Sequence, residues 1–489
     1  MITLTCLGHT FSYELEHILR LFFPGEQVRC VQEETRLAGD FVETRLTRGP
    51  EKVSVAVRVR LEDPACDTSA SARLDASAPG HEEERRLAVL LYGILCGVTD
   101  ITPPWGILTG VRPVRLCRQW EEQGLTREQI SHRFSREYLV KPHKLALALA
   151  TTDAQRHILK DARPDGYSLY ISIPFCPTRC LYCSFVSHAI DKAGKLIPDY
   201  LGKLCRELEV TAGLAQKLRL SLETVYIGGG TPTSLTADQL EQVLGTVAAH
   251  FDLSVLREYT VEAGRPDTIT PKKLAVLRKF GVGRVSINPQ TMDDTILKAI
   301  GRDHTAAQVA RSMALVRDYD FSAVNMDIIA GLPGESEDSF NKTLDGVLSM
   351  KPENITLHTL TVKRSSGLRL REDAFSGSPL GLDGLLQTAQ RRFGGEGYRP
   401  YYLYRQKGTL QNLENTGFSL PGGEGIYNVY SMEEVHTILA AGAGGVTKLC
   451  YQGDIRRVFN HKYPYEYITR FHELLARKSS VEEFYEKHS

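Results

Sequence analysis

The sequence has no surplus of charge. Its 59 Lys and Arg balance 59 Asp and Glu over 489 residues. A dedicated nucleic-acid binder usually carries a basic excess, so the balance argues against that class. Long hydrophobic runs are also missing. The longest apolar stretch, Leu87 to Val98, falls short of the about 20 residues that a transmembrane helix needs. The first residues, Met1-Ile2-Thr3-Leu4-Thr5-Cys6, lack a basic n-region, a long apolar h-region and a small-residue cleavage site. The expectation is therefore no signal peptide and a cytoplasmic chain. What is present is ordinary: 42% hydrophobic and 24% charged residues fit a folded globular protein. At roughly 150 residues per domain, the length suggests about three domains.

Residues 1–160 read as an α/β accessory domain. Leu15, Ile18, Leu19 and Phe22 share one helical face within 11–23, and Val53, Val55, Val57 and Val59 alternate as in a half-buried strand. Residues 63–81, rich in Ala, Ser, Asp and Pro, read as a loop. Helices are expected over 82–97, 126–136 and 141–160. Pro103 to Pro113 contains too much Pro and Gly for a regular element. It is a structured linker or a lid that brings Arg112 near an acidic substrate. From 168 onward, β-rich runs (168–174, 223–227, 258–262, 282–287, 323–329, 355–362) alternate with amphipathic helical stretches. Six βα units in series imply a parallel sheet with helices outside, short of the eight that close a barrel. The expected fold is α/β: a partial (β/α)6 TIM-like barrel over 161–370, followed by a C-terminal α+β domain over 371–489.

Seven of the ten cysteines are scattered and read as small buried hydrophobes. The other three, Cys176, Cys180 and Cys183, form C-x3-C-x2-C directly after the first β-run. Three thiolates on one tight loop can hold three irons of a cubane cluster and leave the fourth open. Zinc, with His188 as a fourth ligand, is the alternative, and three buried cysteines a third. Later strand ends carry further polar or glycine-rich groups: Gly228-Gly229-Gly230-Thr231-Pro232-Thr233, Glu262, Asn288-Pro289-Gln290, and Asp327 inside an apolar run. Asp327 needs a partner or ligand, and Arg302 is the expected one. Polar residues at C-terminal strand ends of such barrels read as functional.

The stretch Tyr170-x-x-Ile173-Pro174-Phe175-Cys176-x3-Cys180-x2-Cys183 resembles the radical S-adenosylmethionine (SAM) superfamily. Together with the Gly-Gly-Gly-Thr-Pro-Thr segment, the Gln290–Arg302–Asp327 series and Gly331-Leu332-Pro333, residues 165–365 resemble the oxygen-independent coproporphyrinogen III oxidase family. The N-terminal 160 residues, with Pro104-Trp105-Gly106, resemble its HemZ-type coproporphyrinogen dehydrogenase branch. The resemblance implies a 4Fe-4S cluster on Cys176, Cys180 and Cys183, with SAM chelated to the open iron and cleaved to methionine and a 5′-deoxyadenosyl radical. It implies that Tyr170, Gly229 and Glu262 hold that SAM. It further implies that Tyr182, Gly230, Thr231, Gln290, Arg302 and Asp327 match the set for a second SAM, so one molecule or two are expected. The implied reaction is oxidative decarboxylation of coproporphyrinogen III propionates in haem biosynthesis, with a flavodoxin- or ferredoxin-like electron donor. Lys363, Arg364, Arg112 and Arg405 are candidates for the substrate carboxylates.

Two positions depart from the family. Phe185 stands where a further Cys is common, and Ser172 where the usual His stands. A sister branch of haem chaperones also has Phe there, but its His-Asn-x-x-Tyr-Trp motif is matched here only by the Asn of Gln411-Asn412-Leu413-Glu414. A haem-binding protein, or an enzyme acting on haem with His358, His436 or His461 as axial ligand, is the second reading.

Overall fold

The computed structural model describes residues 1–33, 39–63, 65–110, 112–362, 381–406 and 409–488. The chain divides into two compact units, the first of residues 1–149 with two short segments around Arg405 and Asn412, the second of most of the remainder.

In the first unit, strands β1 (Ile2–Leu7), β2 (Val28–Val31), β3 (Phe41–Arg48), β4 (Lys52–Leu61) and β5 (Cys66–Asp75) form one sheet in the order β2-β1-β3-β4-β5. The apolar face of helix Gly80–Thr99 packs on β4, and helix Ser12–Phe22 lies beside it against β1 and β2. The loop expected over 63–81 is in fact β5 for ten residues. As an edge strand it pairs only with β4 and buries only Leu74, so its small polar composition carried no strand signal. The Pro103–Leu108 segment has no regular structure, as expected. It is packed rather than loose: Trp105 is 1% exposed, and Lys141 N–H donates to Pro104 O at 2.9 Å. A Cβ on Gly106, at φ +57°, would lie 2.0 Å from Tyr138 O, so only glycine fits that crossing.

The second unit is built on strands β6 (Gly166–Ile173), β9 (Ser221–Gly229), β10 (Glu258–Glu262), β11 (Arg284–Ser286), β12 (Ala323–Ala330) and β13 (Asn354–Thr359), all parallel to their neighbours. Between β6 and β9 lies the short parallel pair β7 (Phe175–Cys176) and β8 (His188–Ala189). Helices follow in the expected places, including Ile197–Lys217, Ala237–His250, Ala306–Arg317 and Glu337–Ser349. Three of them start at a capping box, on Thr236, Thr305 and Ser336, where a side-chain oxygen takes an orphan N–H of the first turn. This is a partial (β/α)6 TIM-like barrel that does not close on itself. Strands β14 (Arg399–Arg405), β15 (Glu414–Ser419), β16 (Thr437–Ala441), β17 (Val446–Tyr451) and β18 (Asp454–Phe459) extend the same sheet: β15 and β14 beyond β13, and β16, β17 and β18 beyond β6. The C-terminal region read from sequence as a domain of its own thus flanks the parallel strands within one eleven-stranded sheet. No helix among the described residues is long and apolar enough to cross a membrane.

A buried polar knot ties this C-terminal part to the barrel. The Glu207 carboxylate, fully buried, lies 2.8 Å from Lys478 Nζ and accepts from Tyr467 OH (2.6 Å), Asn460 Nδ2 (2.8 Å) and Gly442 N–H (2.8 Å). Removing one partner of such a pair strands the other charge, a loss of about 3–5 kcal/mol. Lys478→Met is therefore expected to lower the urea midpoint by that equivalent. The double change Glu207→Leu with Lys478→Met should recover part of it. A single variant as stable as the wild type would show that the pair does not anchor the C-terminal helices.

Candidate active site

The three clustered cysteines sit on the lobe that β7 and β8 close. Phe175 pairs with His188 and Cys176 with Ala189. The lobe is pinned from several sides. Leu181 N–H donates to Ile300 O at 3.0 Å, Thr178 Oγ1 to Gly301 O at 3.4 Å, and Cys183 N–H to Cys180 O at 3.2 Å. All three thiols are half-buried. Burial pushes the Cys176 and Cys183 thiols up, and each also senses Cys180. Three thiolates on one short lobe suit a cluster with one open iron. A cubane spreads its thiolates over different irons, whereas structural zinc needs four convergent donors. His188 packs edge-on against Tyr463 at 6.1 Å.

The glycine segment at the end of β9 is stitched to this lobe. Gly230 N–H donates to Ile173 O and Thr231 N–H to Phe175 O, both at 2.8 Å, and Thr231 Oγ1 lies 3.5 Å from Cys176 Sγ. A Cβ on Gly230 would stand 2.6 Å from Phe175 O. Gly230→Ala is thus expected to lever the lobe off the strand end, with iron retained after reconstitution falling below about half of wild type because backbone cannot yield to overpacking. Unchanged iron content would contradict this.

Deeper in the barrel, Tyr170 on β6 and its register partner Tyr226 on β9 stack at 6.2 Å, and Tyr427 stacks on Tyr226 at 4.5 Å. Tyr226 OH donates to Glu262 Oε1 at 2.5 Å. Burial lifts the Glu262 carboxyl to about 7, against the pull of that hydrogen bond. Tyr427 arrives on helix Ile426–Glu433, whose first N–H groups donate to the Glu258 carboxylate, Ile426 at 2.5 Å and Tyr427 at 3.3 Å. Such orphan donors favour an anion. Tyr226, Tyr427 and Glu258 escaped the sequence reading because aromatics in strands signal core and the Glu258 contact spans 168 residues.

Asp327 does not pair with Arg302. It accepts from Asn325 Nδ2 at 2.7 Å and lies 3.7 Å from His358 Nε2. Burial works against this carboxylate, but His358, Asn325 and Thr356 outweigh it and hold Asp327 below its ordinary range. These partners stand on the same strand and on β13, beside Asp327, so they reach it first. Arg302, buried, donates to Asn288 O and faces Tyr182 and Cys180. Gln290 is held at φ +68° by two backbone bonds to β12, its N–H to Asp327 O and Ile329 N–H to its own carbonyl, both 2.9 Å. A left-handed non-glycine costs about 1–3 kcal/mol and is typical of functional sites. His304 is buried between Arg302 and Arg265; burial and those two cations lower it to about 4, so its ring is neutral at pH 7.

The structure therefore gathers Cys176, Cys180, Cys183, Tyr182, Thr231 and Arg302 at the lobe, and Tyr170, Gly229, Gly230, Glu262, Gln290 and Asp327 at the neighbouring strand ends. Arg405 is otherwise engaged: it is buried and donates to the carbonyls of Leu108, Gly110 and Asn412. Lys363 and Arg364 lie outside the described residues.

Residues 170–347 match the model of the radical SAM superfamily. The chain is 38% identical over 408 residues to the oxygen-independent coproporphyrinogen-III oxidase-like protein HemZ of Bacillus subtilis, covering 82% of this chain and 81% of that one. It is 30% identical over 320 residues to the heme chaperone HemW of Lactococcus lactis, 65% of this chain and 79% of the relative. The fold matches the crystallised coproporphyrinogen III oxidase HemN of Escherichia coli with a TM-score of 0.52 and 22% identity, over 66% of this chain and 73% of that one. The chain belongs to the radical SAM superfamily and, within it, to the family of the oxygen-independent coproporphyrinogen-III oxidase-like protein HemZ.

Proposed function

We propose that the chain converts propionate side chains of coproporphyrinogen III to vinyl groups, giving protoporphyrinogen IX. The observation that carries this reading is the convergence of the cysteine lobe, the glycine strand end, Glu262 and Asp327 on the C-terminal ends of adjacent parallel strands, where such barrels keep their chemistry. In each turnover one –CH2–CH2–COO⁻ group loses a hydrogen atom, CO2 and one electron to leave –CH=CH2. An external one-electron carrier accepts that electron, and a flavodoxin- or ferredoxin-like donor supplies the electron that starts the cycle. Bound here, a 4Fe-4S cluster with SAM supplies the hydrogen-abstracting radical.

The chain's own residues bind and orient. Cys176, Cys180 and Cys183 would ligate the cluster. Gly229 allows close approach at the strand end, Glu262 offers its carboxylate to ribose hydroxyls, and Tyr170 walls the adenosyl side. Tyr182, Gly230, Thr231, Gln290, Arg302 and Asp327 would hold a second SAM; Asp327 is kept ionised by His358, ready for a cationic or hydroxyl partner. The stacked Tyr170, Tyr226 and Tyr427 exclude water from this end of the barrel.

Haem binding is the second reading, favoured by the likeness to a heme chaperone and by Phe185, 69% exposed on the lobe. The three histidines considered as axial ligands weigh against it: His358 attends Asp327, His436 is buried on Ser168, and His461 is buried. Anaerobic reconstitution followed by dithionite, SAM and coproporphyrinogen III separates the readings. The expected product has lost two CO2. Unchanged coproporphyrinogen together with a haem Soret band on added haem would overturn the decarboxylase in favour of the haem protein.

A further inference from the structure

Arg265 lies three residues beyond the end of β10 and is 3% exposed. Its guanidinium pairs with Asp267 through two bonds, Nε to Oδ1 at 3.0 Å and Nη2 to Oδ2 at 3.3 Å. The third nitrogen, Nη1, turns to the cysteine lobe: 3.1 Å to Thr178 Oγ1, 3.4 Å to Thr178 O and 4.0 Å to Cys180 Sγ. Its backbone is also fixed. Thr268 returns both its N–H (2.9 Å) and its hydroxyl (2.7 Å) to Arg265 O, and Thr268 Oγ1 meets Thr233 Oγ1 of the glycine segment at 2.6 Å.

A clamp alone would not need a charge. The lobe is already held by Leu181 on Ile300 and Thr178 on Gly301, and a neutral donor could serve Thr178 without the desolvation that a buried guanidinium suffers. What Arg265 adds is a second positive charge at the sulfur of Cys180, which Arg302 also faces, and unlike Arg302 it carries a carboxylate counter-charge, Asp267, on its far side. Reduction of a cluster adds negative charge, and a cation beside a ligating sulfur favours the reduced state.

Taking the three cysteines as cluster ligands, as proposed above, we propose that Arg265 is a positioning residue that sets the cluster's reduction potential, and that Asp267 moderates it. The two have opposite signs. Removing the cation should make the cluster harder to reduce. Removing the carboxylate exposes the full cation and should make it easier.

The test is a potentiometric titration of the reconstituted full-length protein without SAM, followed by the EPR signal of the reduced cluster. At a fixed potential, Arg265→Gln is expected to lower the ratio of reduced to oxidised cluster at least about tenfold, equivalent to 59 mV for a one-electron couple. Asp267→Asn should raise that ratio, and Arg265→Lys should shift it by less than half the Gln effect. Should Arg265→Gln fail to load, the sign of Asp267→Asn decides. A loaded cluster whose potential is unmoved, or moves the same way in both variants, overturns the role of Arg265 alone. Wild-type protein that takes up no iron and sulfide overturns the cluster reading itself, and this role with it.

Discussion

Cys180→Ala folds as the wild type does and produces no 5′-deoxyadenosine. Both halves of this expected result follow from where Cys180 sits. The lobe is anchored in the core by Leu181 and Tyr182, which pack on Ile296, Leu297 and Ile300, and its backbone is held by Leu181, Thr178 and Cys183 rather than by the Cys180 side chain. A half-buried thiol on such a loop can be truncated for well under about 1 kcal/mol of stability. The chemistry has no such tolerance. Three thiolates are the minimum that holds a cubane with one open iron, and the truncation leaves two. Circular dichroism and the thermal midpoint should overlay the wild type while iron content and SAM cleavage collapse. Retained cleavage would refute the ligand assignment; loss of fold would show that the lobe is structural.

The second large effect concerns Glu262. Glu262→Gln should weaken SAM binding by roughly 10–100-fold, the cost of losing charge-assisted hydrogen bonds to hydroxyls, and should change the pH dependence of ligand-free stability. The carboxyl is pushed by burial to about 7 from an ordinary 4.5. A carboxyl raised in the folded state stabilises the fold when protonated, fully so below about pH 4.5, and that contribution is lost as pH rises through 7. Glu335 is also pushed up by burial to about 7, so the wild-type curve alone mixes the two. The difference between wild type and Glu262→Gln isolates Glu262: the variant should gain relative stability between pH 5 and 8. Parallel pH curves, with SAM affinity unchanged, would remove Glu262 from the site.

The barrel was legible because its signals are local. The β-runs from Ser168 to Thr359 are short and largely apolar, and the helices after β9, β10, β11 and β12 each start on a side-chain cap, patterns that survive without knowledge of the partner strands. The cysteine lobe was legible for the same reason: its spacing lies within eight residues. Other features depend on distant neighbours. β5 is a strand only because β4 offers it hydrogen bonds. β15 and β16 join the sheet through pairings with β13 and β6 that cross long stretches of sequence, and β17 and β18 then follow β16 in local antiparallel pairings. Asp327 was flagged as a carboxylate that needs a partner, but the partner was misassigned, because His358 reaches it through the β12–β13 register and not through any motif. Arg265 carries no motif either. It is a single arginine in a Gly-Arg-Pro turn until the fold sets it against Cys180.

The most direct test of the proposed reaction uses coproporphyrinogen III deuterated at the β-carbon of its propionates, with reconstituted enzyme, SAM and a reductant under anaerobic conditions. Hydrogen abstraction at that carbon predicts 5′-deoxyadenosine enriched in deuterium alongside a porphyrinogen that has lost CO2. Unlabelled 5′-deoxyadenosine with intact coproporphyrinogen would contradict it.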